Sequence, residues 1–359
     1  MSFFLAFLGF AALIVLHELG HFAAAKAVGM RVERFSLFFP PLVARIKRGE
    51  TEYAIGAVPL GGYVKITGMN PAEEIPEEHQ HRAYYRQPVW KRVVVIAAGP
   101  IVNVVVAFLL FWVFFVAQGP AVAQPEIESV TPNSPAVGVL MPGDRLLAVD
   151  GVRGDFERLR DQIGTHRCAG TPTDGCKASS PALLTVERGG REQQLSITPS
   201  YDGELKRPLV GFAPTAKTVA EGPIEASGSS VDAMWNVTTL TVTRISQLFY
   251  SAEARKEISG IAGTYETSRQ VIKTSSFQTV MSIFGLISLS LAIINLFPFL
   301  PLDGGHIFWA VAEKLRGKAI SFRTMERASV VGFMLVLALF SIGLLNDIDR
   351  FQGEGFGIR

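Results

Sequence analysis

The chain has 359 residues, enough for two to three domains at roughly 150 residues each. Hydrophobic residues make up 48% and charged residues 18%, with a mean hydropathy of +0.29, which excludes an ordinary soluble enzyme and a disordered chain. Lys+Arg 34 against Asp+Glu 32 leave a net charge of +2, so no bulk field points to nucleic acid, and two cysteines exclude a disulfide-built secreted domain.

A hydrocarbon core of about 30 Å needs roughly 20 apolar residues per helix. Residues 3–25 form a first apolar run broken only by His17, Glu18 and His21, giving a first transmembrane helix over 1–26. Its start lacks Lys and Arg, and no small-residue cleavage pattern precedes Lys26, which argues against a signal peptide. A cytoplasmic loop is expected over 27–92. Within it, Phe35, Phe38, Phe39 and Val43, with Thr51–Val58, read as the strands of a hairpin dipping toward the membrane. Residues 93–117 are a second span whose one strongly polar residue, Asn103, reads as interhelical glue. The third run, 278–302, is interrupted by Asn295, Pro298 and Pro301, and the third span is placed over 278–306. A loop over 307–327, a short fourth span over 328–346 and a tail over 347–359 complete the chain. Lys and Arg crowd 26–92 and 303–327, whereas after the second run the next basic residue is Arg145. That bias puts both loops in the cytoplasm, and both termini and the long 118–277 segment outside.

Within that segment, 118–215 reads as β-rich, with strands at Glu126–Val130, Leu183–Arg188 and Gln193–Thr198 and a hairpin turn at Gly189-Gly190. The stretch from Ser134 to Gly151 resembles the PDZ pattern: a small-residue helix start, Gly-Asp, an alternating apolar strand and a closing Asp-Gly turn. The resemblance implies recognition of peptide or protein ends by strand addition. A ligand-free shield for the membrane part is the competing reading. Cys168 and Cys176 stand in a Gly/Thr/Pro-rich insertion, where an outside location permits a disulfide. Residues 216–277 are read as a linker and an amphipathic helix (Val231–Glu257, with Val231, Met234, Trp235, Val237 and Phe249 at helical spacing) lying on the outer leaflet.

His17-Glu-Leu-Gly-His21 carries the chemistry. Two histidines four apart share one face of a helix and can reach one metal ion. Glu18 projects beside that face and could take the proton of a metal-activated water. Ionisable groups inside an apolar helix mark a functional site. Catalytic zinc usually takes three protein ligands. The third run ends at matching depth with Asn295-Leu-Phe-Pro-Phe-Leu-Pro-Leu-Asp303-Gly-Gly-His306, and spacing leaves both Asp303 and His306 open as third ligand. Its Pro and Gly residues predict an unwound segment, in which Asn295 could hydrogen-bond a substrate backbone. Gly304 and Gly305 are expected at backbone bends.

The His-Glu-x-x-His of the first span, the Asn-x-x-Pro-x-x-x-Leu-Asp-Gly of the third and the domain between them resemble the site-2 protease family, within it most closely the bacterial sigma-E-regulating group with PDZ insertions. Gly61-Gly-Tyr-Val-Lys65, Ala98-Gly-Pro-Ile-Val-Asn103 and Ser259-Gly-Ile-Ala-Gly263 resemble further motifs of that group. The resemblance implies an α-helical integral membrane protein with four transmembrane helices, an inserted extracytoplasmic β-rich PDZ-like domain and a membrane-reentrant β-hairpin element. It implies a zinc endopeptidase of the bacterial inner membrane, with His17, His21 and Asp303 as zinc ligands, Glu18 as base and His306 as a neighbour. Substrates would be single-span membrane proteins of the anti-sigma-factor or remnant-signal-peptide type, cut after a first extracytoplasmic cleavage. A non-catalytic PDZ adaptor anchored in the lipid bilayer, or a metal transporter, are the alternatives. Only one PDZ unit fits, where well-known relatives have two.

Overall fold

The computed structural model describes residues 2–70, 73–203, 205–248, 250–257, 263, 277–318 and 320–352. The chain divides into two compact units, Met1–Ala117 with Glu221–Arg359, and Gln118–Ala220.

The first unit is helical around a small sheet. Its elements are α1 (Ser2–Ala27), β1 (Val32–Arg48), β2 (Thr51–Ile66), α2 (Glu77–Gln80) and α3 (Val89–Ala117). After the second unit it resumes with α5 (Pro223–Gln247), α6 (Ala252–Glu257), α7 (Phe277–Asn295), α8 (Asp303–Arg316) and α9 (Phe322–Gln352). Among the described residues four stretches, in α1, α3, α7 and α9, are long and apolar enough to cross a membrane. Their outward side chains are large and apolar: Ile101, Val105 and Leu109 on α3, and Val331, Phe333 and Leu345 on α9, are each more than half exposed. Such a surface is stable where the solvent is lipid.

The third apolar run does not form one helix. α7 stops at Asn295, Leu296–Leu302 are irregular, and a new helix begins at Asp303. Pro298 and Pro301 cannot donate ladder bonds, which accounts for the break. Gly304 and Gly305, expected at bends, lie inside α8. A Cβ on Gly304 would strike the carbonyl groups of Leu296 and Phe297, and one on Gly305 would lie 2.9 Å from Leu300 Cα. They are small so that the irregular segment can fold onto the helix start. The 307–327 stretch, expected as a loop, is helical through Arg316 and again from Phe322. The fourth helix exceeds the expected 328–346 at both ends. Gly332 lets it approach the Leu300 carbonyl.

β1 and β2 are long and bent. Arg34–Leu37 has Glu52–Ile55 on one side and Gly62–Lys65 on the other, and Ala44–Arg48 turns back along Thr51–Ile55. The strand pair therefore makes a four-segment sheet with Gly62–Lys65 along one edge. Its turn is fastened by Glu50, which accepts from Lys26 Nζ at 2.6 Å and from Arg82 Nη1 at 2.6 Å. Arg82 first, then Lys26, holds the Glu50 carboxyl down at about 2.

The expected outer-leaflet helix begins earlier than its sequence pattern and packs on spans: Met234 and Val237 of α5 join Ala107 and Phe111 of α3 and Leu289 of α7. Ile224, Val231, Trp235 and Val242 form a separate exposed stripe. Phe249 and the Ser259–Ala262 part of the serine-glycine motif lie outside the described residues. Gly263 N–H donates to the buried Asp347 at 2.8 Å. Where α3 gives way to the second unit, Glu221 N–H donates to Phe115 O at 3.1 Å.

The second unit is a six-stranded sheet with helix α4 (Phe156–Ile163). Its strands are β3 (Ala121–Val130), β4 (Arg145–Val149), β5 (Val152–Arg153), β6 (Ala182–Arg188), β7 (Arg191–Ile197) and β10 (Phe212–Thr218), beside a separate pair, β8 (Ser200–Asp202) and β9 (Arg207–Leu209). The order is β10-β3-β4-β6-β7, with β5 on β4. Ile127, Leu146, Leu159, Leu184 and Val186 are buried together, each apolar side chain worth about 1.5–3 kcal/mol. Gly189-Gly190 closes β6–β7 with positive φ at both residues, and Asp150-Gly151 closes β4–β5 likewise. The expected helix after Ser134 is only a run of turns. Asp144 of the Gly-Asp pair is buried, accepting from Met141 N–H and from Arg188, whose guanidinium also reaches Val139 O. Cys168 and Cys176 are joined as a disulfide. The unit's two ends meet: Thr218 pairs with Ala121, and Val219 N–H donates to Pro120 O.

Candidate metal centre

His17 and His21 sit one turn apart on α1, each 7% exposed. Asp303 is the first residue of α8. Its Oδ2 lies 3.2 Å from His17 Nε2 and 3.2 Å from His21 Nε2, and the two Nε2 atoms are 3.2 Å apart. This is the described residues' one cluster of three potential metal ligands. A tetrahedral zinc site with bonds of 2.0–2.1 Å has donor atoms about 3.3 Å apart, so the triangle has the right size.

The chemistry of the donors agrees. His21 Nδ1 is 2.9 Å from the Val95 carbonyl, which can only accept. Nδ1 therefore carries a proton, and in the neutral ring Nε2 presents its lone pair. That lone pair faces the Asp303 oxygen, which is buried without a hydrogen-bond partner. Lone pairs converging in a buried site are stable around a cation and repulsive without one. The residues fit zinc.

Asp303 is held there by its own helix. Arg92, buried at the start of α3, donates to Glu313 of α8 at 2.7 and 3.1 Å through two guanidinium nitrogens. This bidentate pair fixes α8 against the helix that backs the histidines.

A cavity of about 640 Å³ opens on the cluster. Glu18, Asn295 and His306 all line it, as do Gly61, Gly62, Tyr63 and Val64 of the sheet edge. A Cβ at Gly62 would lie 2.9 Å from Glu18 Cγ, so glycine lets the edge strand reach the acid. His306 lies outside the three-residue cluster, leaving Asp303 as the residue that meets both histidines. Two α3 residues join the site without having been expected there. Asn103, fully buried, has its amide 3.2 Å from His17 Nδ1, and Gly99 lies against both imidazoles. Their only sequence signal was the Ala98–Asn103 motif.

Comparison with known proteins agrees with this constellation. The profile of Peptidase family M50 matches residues 5–339. A provisionally named zinc metalloprotease of Rhizobium meliloti (strain 1021) is 31% identical over 95% of this chain and 94% of its own length. A protein of the same provisional name from Campylobacter jejuni is 30% identical over 95% and 92%. The regulator of sigma-E protease RseP of Salmonella typhimurium is 28% identical over 94% and 96%, in an alignment 438 positions long that includes residues this chain lacks. Among solved structures, the PDZ domain of an SdrC-like protein from Listeria innocua covers 25% of this chain and 92% of its own at 18% identity and a TM-score of 0.21. The chain belongs to Peptidase family M50, the site-2 protease family. It is a zinc-dependent metalloprotease built on membrane helices.

Proposed function

We propose that the protein is an intramembrane endopeptidase that cuts the transmembrane segment of single-span membrane proteins, with His17, His21 and Asp303 as zinc ligands and Glu18 as general base. The observation that carries this reading is the His17–His21–Asp303 triangle within apolar helices, facing one cavity with Glu18. When bound, zinc supplies Lewis-acid polarisation of a carbonyl and acidification of water. Glu18 takes the proton of the attacking water and returns it to the leaving nitrogen. Asn295, at the last turn of α7 and on the same cavity, hydrogen-bonds the substrate backbone.

A peptide bond inside a helix is shielded by its own ladder, so the substrate must be extended before attack. The edge Gly62–Lys65 offers unpaired backbone groups beside Glu18, and strand addition there supplies the extension. The distribution of Lys and Arg supports a bacterial inner-membrane protein with both termini and the β unit outside and the catalytic end toward the cytoplasm. The relative named for sigma-E regulation supports an anti-sigma-factor substrate already trimmed outside, with remnant signal peptides as a second class. The β unit would bind peptide ends. One compact ligand cluster, not ligands strung along a path, disfavours the transporter reading, and the intact Glu18 disfavours the adaptor.

The test is cleavage in membranes of a tagged, externally trimmed single-span substrate by wild type and Glu18→Gln. Cleavage lost in Glu18→Gln at unchanged zinc content is the expected result. Equal processing by both would remove Glu18 from the mechanism.

A further inference from the structure

We infer that Asn103 is a positioning residue of the metal centre, acting through His17, and that Gly99 keeps open the space both imidazoles occupy. This rests on the reading of His17, His21 and Asp303 as zinc ligands.

Val95, Gly99 and Asn103 are four apart along α3 and so share one face of it. That face meets the face of α1 bearing the two histidines. At one end the Val95 carbonyl takes the Nδ1 proton of His21, and at the other the Asn103 amide lies against Nδ1 of His17. Between them a Cβ on Gly99 would fall on the His21 ring and 2.9 Å from His17 Nε2. Pro100 has no N–H to give Ile96 and crowds that carbonyl, loosening the helix ladder at the same turn.

The amide of Asn103 joins α3 to α1 through His17 and takes no part in the link from α3 to α7. Ser288 of α7 donates to the Asn103 main-chain carbonyl at 2.8 Å, a bond any residue at 103 would accept. The side chain points at His17, with Nδ2 placed 3.2 Å from His17 Nδ1 and the buried Oδ1 left without a hydrogen-bond partner. An imidazole that binds metal through Nε2 carries its proton on Nδ1 and needs an acceptor there. A half-turn of the amide, which exchanges its nitrogen and oxygen in place, brings the otherwise unpartnered oxygen to Nδ1 as that acceptor. Asn103 then fixes the tautomer and ring angle of His17 as the Val95 carbonyl fixes those of His21. Only the first of these contacts is made by a side chain.

The experiment measures zinc affinity of the full-length protein in detergent by chelator competition, together with the visible spectrum of its cobalt(II) form. Asn103→Leu is expected to bind zinc about 10- to 100-fold more weakly and to shift the cobalt bands. Asn103→Asp, which keeps an acceptor oxygen, should recover most of that loss, and Ser288→Ala should bind zinc as wild type does. Wild-type affinity in Asn103→Leu, or an Asp variant no better than the Leu variant, would overturn the proposal. His17→Ala separates this from the ligand reading, because zinc retained there unseats the ligand assignment itself. Should Asn103→Leu fail to fold, nitrogen-15 histidine spectra of the zinc-loaded wild type decide. A slowly exchanging His17 Nδ1 proton supports the proposal, and an unprotonated Nδ1 overturns it.

Discussion

Asp144 of the β unit and Asp303 of the helical unit are both aspartates with little exposed surface, furnished in opposite ways. Asp144 takes Arg188 Nε on one oxygen, and Arg188 Nη2 and Met141 N–H on the other, at 2.6–2.8 Å. Asp303 turns one oxygen to two imidazole nitrogens, and that oxygen has no hydrogen-bond partner. A carboxylate whose lone pairs are filled by protein donors holds a fold together. One whose lone pair meets other lone pairs is arranged for an ion that the protein itself does not supply.

Several substitutions would break or sharpen that contrast. Asp303→Ala should lose cleavage to background and reduce bound zinc to a small fraction of an equivalent, read by metal analysis, with far-ultraviolet dichroism unchanged. Gly99→Ala, which touches neither aspartate, should come close to the same loss, because the added methyl takes the imidazoles' place. If Gly99→Ala binds zinc normally, the packing account of that helix face fails. Asp144→Ala should leave zinc content untouched and weaken the β unit by about 1–3 kcal/mol, the range for a lost charged hydrogen bond. Hydrogen exchange of β4 and β6 in the intact protein checks this.

Acid should reach Asp144 through the same contacts. Arg188 favours the ionised carboxyl and holds its pKa below the usual value of about 3.9. The stabilisation is therefore complete above that value and is lost as pH falls through the lower folded one. Protection of β4 and β6 should be flat from neutrality to about pH 5, then fall more steeply in wild type than in Asp144→Ala. The smallest effect belongs to Cys168 and Cys176. Their loop is short and lies apart from the core strands, so reduction should raise exchange around 166–178 and leave β4 and β6 unchanged.

The cluster of His17, His21 and Asp303 was largely readable because its chemistry is written in residue type and spacing. Two histidines four apart in an apolar run are costly to bury and seldom serve packing alone, and the Leu-Asp-Gly after a Pro-rich break sits at matching depth. The choice between Asp303 and His306 was not readable from spacing, since it turns on where α8 begins. Asn103, read as interhelical glue, and Gly99, seen only within a motif, were not placed beside the histidines for the converse reason. A glycine in a membrane helix and a lone asparagine suit many packing roles, and only the neighbouring helix α1 brings His17 and His21 against them. The bent sheet was half legible: the apolar strands could be seen, but residues 34–37 pair on both sides, which no alternation pattern encodes. The helix at Pro223–Gln247 divides its apolar residues, one face packing on α3 and α7 and a second left exposed, a division its periodicity alone does not encode.

The β unit begins and ends at one place. Ala121 pairs with Thr218 within it, and Phe115 bonds Glu221 across the gap it leaves in the helical unit. An insertion whose two ends are neighbours can be exchanged, doubled or shortened over evolutionary time without moving the helices on either side. The sigma-E protease of Salmonella typhimurium aligns end to end with this chain and yet is longer. Exchange of the unit between Phe115 and Glu221 would thus leave the helices that flank it where they are.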